Sequence, residues 1–240
     1  MAPRILAGAS GYAYKPWKGP FYPEKLKDAD MLRFYGERLK TVEINNTFYR
    51  MPKRSVLEGW AEEVPDDFRF AIKASRRITH LSRLKEVDEP LGYLVGNLAA
   101  LGEKWGPLLF QLPPYLRADA DRLQRFLDLL PADHPVAMEF RHASWFEPSV
   151  VDALRARGVA LCFVERENAE GEEDALEVPF EPTASFGYLR LRKDDYTDDE
   201  LKGWVARIRA EDWETAYVFF KHEDEGAAPK LALRLMELAG

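Results

Sequence analysis

One stretch, TVEINNTFYRMP at residues 41–52, constrains the fold more than any other part of the chain. Its first eight residues alternate, so that Val42 and Ile44 point to one face of a predicted strand while Glu43 and two later polar residues point to the other. The other predicted strands are apolar and typical of a buried sheet. The polar face is therefore expected to line an enclosed polar space at the end of that sheet. The alternative is an edge strand with one face in water.

Short strands alternate with helical segments along the whole chain, and their number limits the possible folds. Strands are predicted at residues 5–10, 41–48, 68–75, 108–112, 136–141, 159–165, 186–192 and 216–222. Helical spacing is found at 24–39, 54–64, 89–105, after a capping residue at 119, and at 148–157, 198–210 and 226–239. Eight units of roughly 30 residues predict an α/β fold, a single (β/α)8 TIM-type barrel that spans residues 1–240 as one domain.

An acidic segment at 166–185 departs from this pattern. It is expected to form an irregular loop in place of a clear helix after the sixth strand. An open doubly wound sheet is the alternative fold. That fold normally carries a glycine-rich phosphate loop after its first strand, and GASGYAYKPW is a poor match to one.

Charge and composition exclude several classes of protein. The net charge of −7 excludes a uniformly basic nucleic-acid surface but leaves room for a local basic patch. The single cysteine, Cys162, excludes an intrachain disulfide and a multi-cysteine metal site. No apolar run is long enough to span a membrane. The apolar part of the N-terminal segment MAPRILAGAS is too short for a signal peptide, because polar residues follow soon after it. The expected location is therefore the cytoplasm. Nothing in the sequence indicates an oligomeric state.

Polar side chains gather where the predicted strands end, which is where a TIM-type barrel carries its ligand site. The candidate substrate-binding residues are Asn45, Thr47, Lys73, His80, Gln111, Arg141, His142, Trp145, Arg190 and Lys221. Burying an unpaired charge costs several kcal/mol, so these groups are expected to pair with one another or to face a wet pocket. Cations outnumber carboxylates among them, which favours an anionic ligand that bears phosphate or carboxylate, or a nucleic-acid fragment.

Two glutamates, Glu43 and Glu139, are the candidate catalytic residues, as general acid and base. The alternative is that both belong to a self-satisfied network of ion pairs that fixes the barrel interior. No cofactor is expected. A divalent metal is the weaker alternative, since His80, His142 and His222 each follow a strand but lack ligand spacing such as H-E-x-x-H.

The aromatic loop at 12–22 and Trp145 leave two interpretations open. These rings could wall the pocket and stack on a ligand, or they could cover the end of the barrel as a satellite core. Cys162 lies in mid-strand among apolar neighbours, which indicates packing and not a nucleophile.

Several stretches together resemble the YecE-like family, domain of unknown function 72. They are GASGYAYKPWKGPFYPEKL, TVEINNTFYRMP, FRFAIKASRRITH, LLFQLPP, MEFRHASWF, YLRLR and VFFKHE, and they run from residue 8 to 223. The resemblance implies a TIM-type barrel and brings no settled activity. Its motif positions include many of the strand-end residues already named, but not Lys221. Two stretches depart from it: YLRLRKDDY stands where many longer relatives resemble Y-x-R-x-H-G, and FFKHE stands where many carry FNN.

Three functions are compatible with these residues. The first is a hydrolase that cleaves a phosphoester or glycosidic bond by acid/base chemistry at the strand ends. The second is a metal-dependent phosphoesterase. The third is a non-catalytic protein that binds a phosphorylated metabolite or a nucleic-acid end.

Overall fold

The structure is a computed structural model that describes residues 2–50, 52–165, 176–221 and 225–240. Within these ranges the strands are Arg4–Ala9 (β1), Thr41–Ile44 (β2), Arg69–Lys73 (β3), Trp105–Gln111 (β4), Val136–Glu139 (β5), Ala160–Leu161 (β6), Phe163–Glu165 (β7), Phe186–Leu191 (β8) and Thr215–Phe220 (β9). The α-helices are Met31–Gly36 (α1), Arg54–Glu63 (α2), Asp88–Leu98 (α3), Ala120–Leu129 (α4), Pro148–Arg157 (α5), Asp198–Arg209 (α6) and Ala227–Ala239 (α7). No helix of the described residues is both long and apolar enough to cross a membrane.

The strands form two parallel sheets. One has the order β1-β9-β8-β7 and the other the order β2-β3-β4-β5-β6. Every pairing between neighbouring strands is parallel. Parallel pairing needs a crossover connection, and helices supply most of these crossovers. The expectation of a mixed α/β fold with helices between parallel strands is confirmed.

A tyrosine hydroxyl joins β1 of the first sheet to β2 of the second. Tyr35 of α1 is fully buried, and its hydroxyl accepts from Ala9 N at 2.8 Å and donates to Thr41 O at 3.0 Å. The two strands approach so closely that a Cβ placed on Gly8 would lie 2.1 Å from Thr41 O. Glycine is therefore required at this point of β1.

Alternate strand residues form an inner apolar core, separate from the larger core between strands and helices. The inner core includes Ala71 of β3, Leu109 of β4, Ala137 of β5 and Tyr188 of β8. Side chains two positions apart on a strand point the same way. The residues two positions further along these strands are Lys73, Gln111, Glu139 and Arg190. A charged layer therefore lies directly above the inner core, at the carboxyl ends of the strands.

Several predicted elements differ in extent from the observed ones. The strand predicted at 41–48 ends at Ile44, because a 3-10 turn follows at Asn46–Phe48. The helix predicted at 24–39 is reduced to α1 and a preceding 3-10 turn, Asp28–Asp30. The strand predicted at 159–165 is divided into β6 and β7 at Cys162.

Other local predictions are confirmed. Asp119 caps α4, since its carboxylate accepts from Arg122 N at 2.9 Å. Helix α5 begins at Pro148 and is followed by Gly158 in the left-handed conformation, as predicted. Of the acidic segment, residues 166–175 lie outside the described residues, and residues 176–185 contain neither helix nor strand.

Candidate functional site

Arg190 is the centre of a buried network of charges. Its side chain is only 3% exposed, and it binds two carboxylates that are fully buried. Its Nη2 donates to Glu43 Oε1 at 2.7 Å, and its Nη1 donates to Glu139 Oε2. Arg190 belongs to the four-stranded sheet, whereas the two glutamates belong to the five-stranded sheet. The guanidinium therefore connects the two sheets at two points.

Glu43 accepts hydrogen bonds from four side chains. Ser10 Oγ and Asn45 Nδ2 each donate to Oε1 at 2.9 Å, in addition to Arg190, and the Tyr188 hydroxyl donates to Oε2 at 2.7 Å. Burial raises the pKa of Glu43, but the positive charges of Arg190 and Arg192 and the hydrogen bonds from Asn45 and Arg190 together outweigh burial and lower this pKa to about 2. Glu43 is therefore a carboxylate at neutral pH.

Both carboxylate oxygens of Glu139 also accept hydrogen bonds from neighbouring side chains. Gln111 Nε2 donates to both carboxylate oxygens at 2.9 Å, and Arg141 Nε donates to Oε1 at 2.9 Å. Burial raises the pKa of Glu139, while Arg190 and then Arg141 lower it, and the net result lies well below the usual range. A carboxylate with a low pKa is a weak base, and its hydrogen-bonding positions are already occupied.

A cavity of about 840 Å³ lies over this network, at the carboxyl ends of the strands. Its lining is Ser10, Tyr14, Asn45, Asn46, Phe48, Tyr49, Lys73, Arg76, His80, Leu81, Gln111, Arg141, Arg190, Arg192 and Lys221. Six of these residues are Lys or Arg, and none of the described residues that line it is Asp or Glu. The two buried glutamates offset only part of this positive charge, so the cavity is strongly cationic.

Two arginines that line the cavity have donors without a partner in the described chain. Arg190 Nε is buried and has no hydrogen-bond partner within the described residues. Arg192 forms neither a hydrogen bond nor an ion pair with any residue that the structure describes. Burial and then the neighbouring charge of Arg190 lower the pKa of Arg192 to about 10, which still leaves it positive at neutral pH. Leaving such donors without partners is costly, and an anion in the cavity would supply a partner for the Arg192 guanidinium.

Lys73 ends β3 and extends into the cavity. Its Nζ lies 4.2 Å from the centre of the Phe48 ring. Burial and then the charge of Arg190 lower the pKa of Lys73 to about 8. His80 packs edge-on against the same ring, with 4.9 Å between ring centres, and its Nδ1 lies 2.9 Å from Thr79 Oγ1. Burial and then Lys73 lower the pKa of His80, so its imidazole is neutral at pH 7.

Three predicted site residues do not reach the cavity. Thr47 is buried in the turn after β2, where its hydroxyl donates to Lys73 O at 2.7 Å. His142 Nδ1 lies 2.9 Å from Ser144 Oγ, outside the cavity lining. Trp145 is fully buried, stacks on Phe140 and donates from Nε1 to Leu116 O at 2.7 Å. These side chains position backbone segments and do not face the cavity.

Some rings of the aromatic loop at 12–22 belong to a satellite core, and one ring forms part of the cavity wall. Trp17 and Tyr22 are fully buried and pack in an aromatic cluster with Phe21. Tyr14 alone among the five aromatic residues of this loop lines the main cavity within the described residues. The loop is therefore mainly a satellite core that contributes one ring to the pocket wall.

Metal ligation finds no support among the residues that the structure describes. No three His, Cys, Asp or Glu side chains converge in these ranges. His222, the third histidine of the sequence-based hypothesis, lies outside the described residues.

Sequence reasoning missed one contributor to the site, Tyr188, whose hydroxyl donates to Glu43. Arg192, which the sequence places on the same strand face as Arg190, lines the cavity. Tyr188 and Arg192 stand two positions from Arg190 on either side. The two-residue period of a strand places all three on one face, so the choice of Arg190 already carried the signal for Tyr188.

Comparison with known proteins gives one family and several relatives. The family model described as "Protein of unknown function DUF72" matches residues 6–240. The chain is 28% identical over 231 residues to the UPF0759 protein YecE of Escherichia coli (strain K12), covering 86% of this chain and 84% of that protein. It is 28% identical over 135 residues to the UPF0759 protein YunF of Bacillus subtilis (strain 168), covering 53% of this chain and 48% of that protein.

Solved structures show the same fold. A DUF72 family protein from Thermotoga maritima aligns with a TM-score of 0.84 at 24% identity, and 98% of each chain is covered. A DUF72 family protein from Enterococcus faecalis aligns with a TM-score of 0.76 at 19% identity, covering 98% of this chain and 97% of that one. At these identities the likeness concerns the fold alone.

Proposed function

This chain belongs to the family of proteins of unknown function DUF72, and from that premise we propose that its cationic cavity binds a small anionic ligand bearing phosphate or carboxylate. One observation carries the proposal. Six Lys and Arg side chains line the cavity and no described Asp or Glu does, although the whole chain has a net charge of −7. A concentration of one charge in a partly enclosed space focuses the electrostatic field and attracts counter-ions.

Under this proposal the two buried glutamates position the ligand-binding arginine. Glu43 and Glu139 hold the Arg190 guanidinium from two sides, which fixes the orientation of its remaining N–H donors. A pre-oriented guanidinium recognises carboxylate or phosphate at less entropic cost than a mobile one. The hypothesis that these glutamates act as general acid and base is disfavoured, because both have low pKa values and saturated oxygens.

We also propose that the two sheets form one closed (β/α)8 barrel and a single domain. In this arrangement β6 and β7 together make the sixth strand. The Tyr35 bridge between β1 and β2 supports closure on one side, and the ion pairs of Arg190 support it across the interior. The cavity would then occupy the end of the barrel at which such folds carry their ligand sites.

Turnover of the ligand is a second proposal, and one observation favours it. His80 lines the cavity with a neutral imidazole, which is the form that accepts a proton. Hydrolysis of a bound phosphoester with His80 as the base is therefore the candidate reaction. A non-catalytic protein for a phosphorylated metabolite or a nucleic-acid end is the alternative.

Calorimetric titration tests the anion site. The panel consists of inorganic pyrophosphate, glucose 6-phosphate, citrate, a 5′-phosphorylated dinucleotide and neutral glucose. We expect at least one anion to bind and glucose not to bind. Arg192→Gln should weaken the binding at least tenfold, whereas Arg4→Gln should leave it unchanged, because Arg4 is exposed at the opposite end of β1.

The same titrations identify the outcomes that contradict the proposal. Absence of heat with every anion would reject the site. Equal weakening by Arg192→Gln and Arg4→Gln would mean that only net charge matters. For the second proposal, phosphate release from glucose 6-phosphate or the dinucleotide should disappear in His80→Gln while binding persists.

A further inference from the structure

We propose that Lys73 is a reactive amine that forms an imine with the carbonyl group of an anionic oxo compound held in the cavity. This inference rests on the proposed anion site and names its substrate class. The substrate would be an aldehyde or ketone that also carries a carboxylate or a phosphate. The description of the family as one of unknown function names no such reaction.

The surroundings of Lys73 differ from those of the surface lysines. Lys18 pairs with Asp28 at 2.7 Å and Lys40 pairs with Asp67 at 3.1 Å. Lys73 Nζ has no hydrogen bond or ion pair with any described residue, and it lies over the face of Phe48. A lysine with one side against an aromatic ring and the other toward a cavity is open to a ligand.

Burial and the surrounding charges favour the neutral amine of Lys73. The charged and titratable groups that act on it are Arg190, Glu43, Glu139, Arg141 and His80. Burial is the largest cause and Arg190 adds to it, whereas the two glutamates, each with an arginine partner, do not offset them, so the pKa of Lys73 falls to about 8. At pH 7 about a tenth of the amine is then neutral and nucleophilic, far more than for an exposed lysine.

Imine formation also requires that the substrate be bound close to the amine, and the cavity supplies groups that would bind it. Arg141, Arg190 and Arg192 line the same cavity as Lys73. An oxo acid or sugar phosphate bound to these guanidiniums would hold its carbonyl carbon near the amine. Such positioning converts a slow bimolecular condensation into a reaction within one complex.

The proposed step balances without an oxidant or a reductant. The lone pair of neutral Lys73 Nζ forms a bond to the carbonyl carbon, and the π electrons of the carbonyl pass to its oxygen. The resulting carbinolamine loses that oxygen as water with the two hydrogens that began on Nζ, which leaves a C=N bond. His80 contacts the same Phe48 ring and is placed to relay a proton between nitrogen and oxygen.

Reductive trapping tests the inference on the unmodified protein. Glyoxylate is added with sodium cyanoborohydride, and the carboxymethylated lysines are located by peptide mass spectrometry. We expect Lys73 to be labelled at least tenfold faster than any other lysine, with a rate that rises with pH about a midpoint near 8. Lys73→Arg should remove this fast phase. Lys40→Arg, a change at a surface lysine, should keep it.

Parallel reactions separate failure of this inference from failure of the anion site. If pyrophosphate binds but glyoxylate labels Lys73 no faster than surface lysines, the reactive amine is rejected and the anion site stands. If Lys73 reacts fast with glyoxylate and pyrophosphate suppresses the reaction, both are supported. If neutral acetaldehyde labels Lys73 as fast as glyoxylate and pyrophosphate has no effect, the anionic substrate class is overturned.

Discussion

Arg190 of β8 donates from Nη1 to Glu139 at the end of β5, although the two strands lie in different sheets. Both side chains are almost completely buried. Paired in this way they hold the sheets together, and Arg190 also lines the cavity. Stability and the proposed ligand binding therefore depend on the same guanidinium.

Removal of this guanidinium should be strongly destabilising. In Arg190→Met the two carboxylates of Glu43 and Glu139 would remain buried without their main counter-charge, and breaking a buried pair in this way costs about 3–5 kcal/mol. Urea denaturation followed by circular dichroism measures the free energy of unfolding. A loss below about 1 kcal/mol would contradict the central role of this network.

Arg155 offers a matched control for that substitution. It also pairs with two carboxylates, Asp152 at 2.8 Å and Glu181 at 3.4 Å, but its side chain is 48% exposed. Exposed pairs contribute about 1 kcal/mol or less, so Arg155→Met should change the free energy of unfolding only slightly.

Acid should destabilise the protein through Glu43. Its pKa is 4.5 ordinarily and about 2 in the folded chain, so the folded state binds a proton less readily than the unfolded state. The resulting stability is complete above about pH 5 and is lost as the pH falls through the folded value near 2. Over that interval the wild-type protein should lose on the order of 3 kcal/mol more than Glu43→Gln. Parallel stability curves for the two proteins would contradict this assignment.

Salt should weaken ligand binding. In the proposed site, pyrophosphate is attracted by the cations of the cavity, and screening reduces such attraction as ionic strength rises. Between about 50 mM and 500 mM sodium chloride the dissociation constant of the wild-type protein should increase several-fold. Arg192→Gln should show a smaller increase, because one of the screened charges is missing. An affinity that is independent of salt would mean that shape and neutral hydrogen bonds determine binding.

Gly8→Ala should disrupt the contact between β1 and β2. The added methyl would lie 2.1 Å from a backbone oxygen of Thr41, which cannot move without shifting the strand. Overpacking of this kind costs about 3 kcal/mol or more. Gly59→Ala in α2 is the matched control, since its Cβ meets nothing within 4 Å. This control should stabilise the helix by up to about 1 kcal/mol. Similar thermal melts for both variants would refute the close approach.

Much of the site follows from the two-residue period of strands. Glu43, Lys73, Gln111 and Glu139 were identified as strand-end polar residues, and the structure brings all four to one network or its cavity. Period and position were sufficient because parallel strands end at the same edge of a sheet. The sequence did not indicate how far the glutamates lie below the cavity surface, since depth depends on which partners cover them.

Predictions failed where local turns replaced regular structure. The alternation of residues 41–48 continues beyond Ile44, but Asn45 adopts turn dihedral angles of −99° and −23° and begins a 3-10 turn. Thr47 consequently binds backbone oxygens and does not face a ligand. For Trp145 the sequence left two interpretations open, a pocket wall and a satellite core. Its ring stacks on Phe140 and its Nε1 donates to Leu116 O, and the sequence does not reveal this contact with a segment distant along the chain.

The inner core beneath the charged layer limits the routes open to a ligand. Ala71, Leu109 and Ala137 are completely buried, so apolar side chains fill the space directly below the cavity. A ligand of the proposed anion site would therefore both enter and leave at the carboxyl ends of the strands, and none would pass through the centre of the fold.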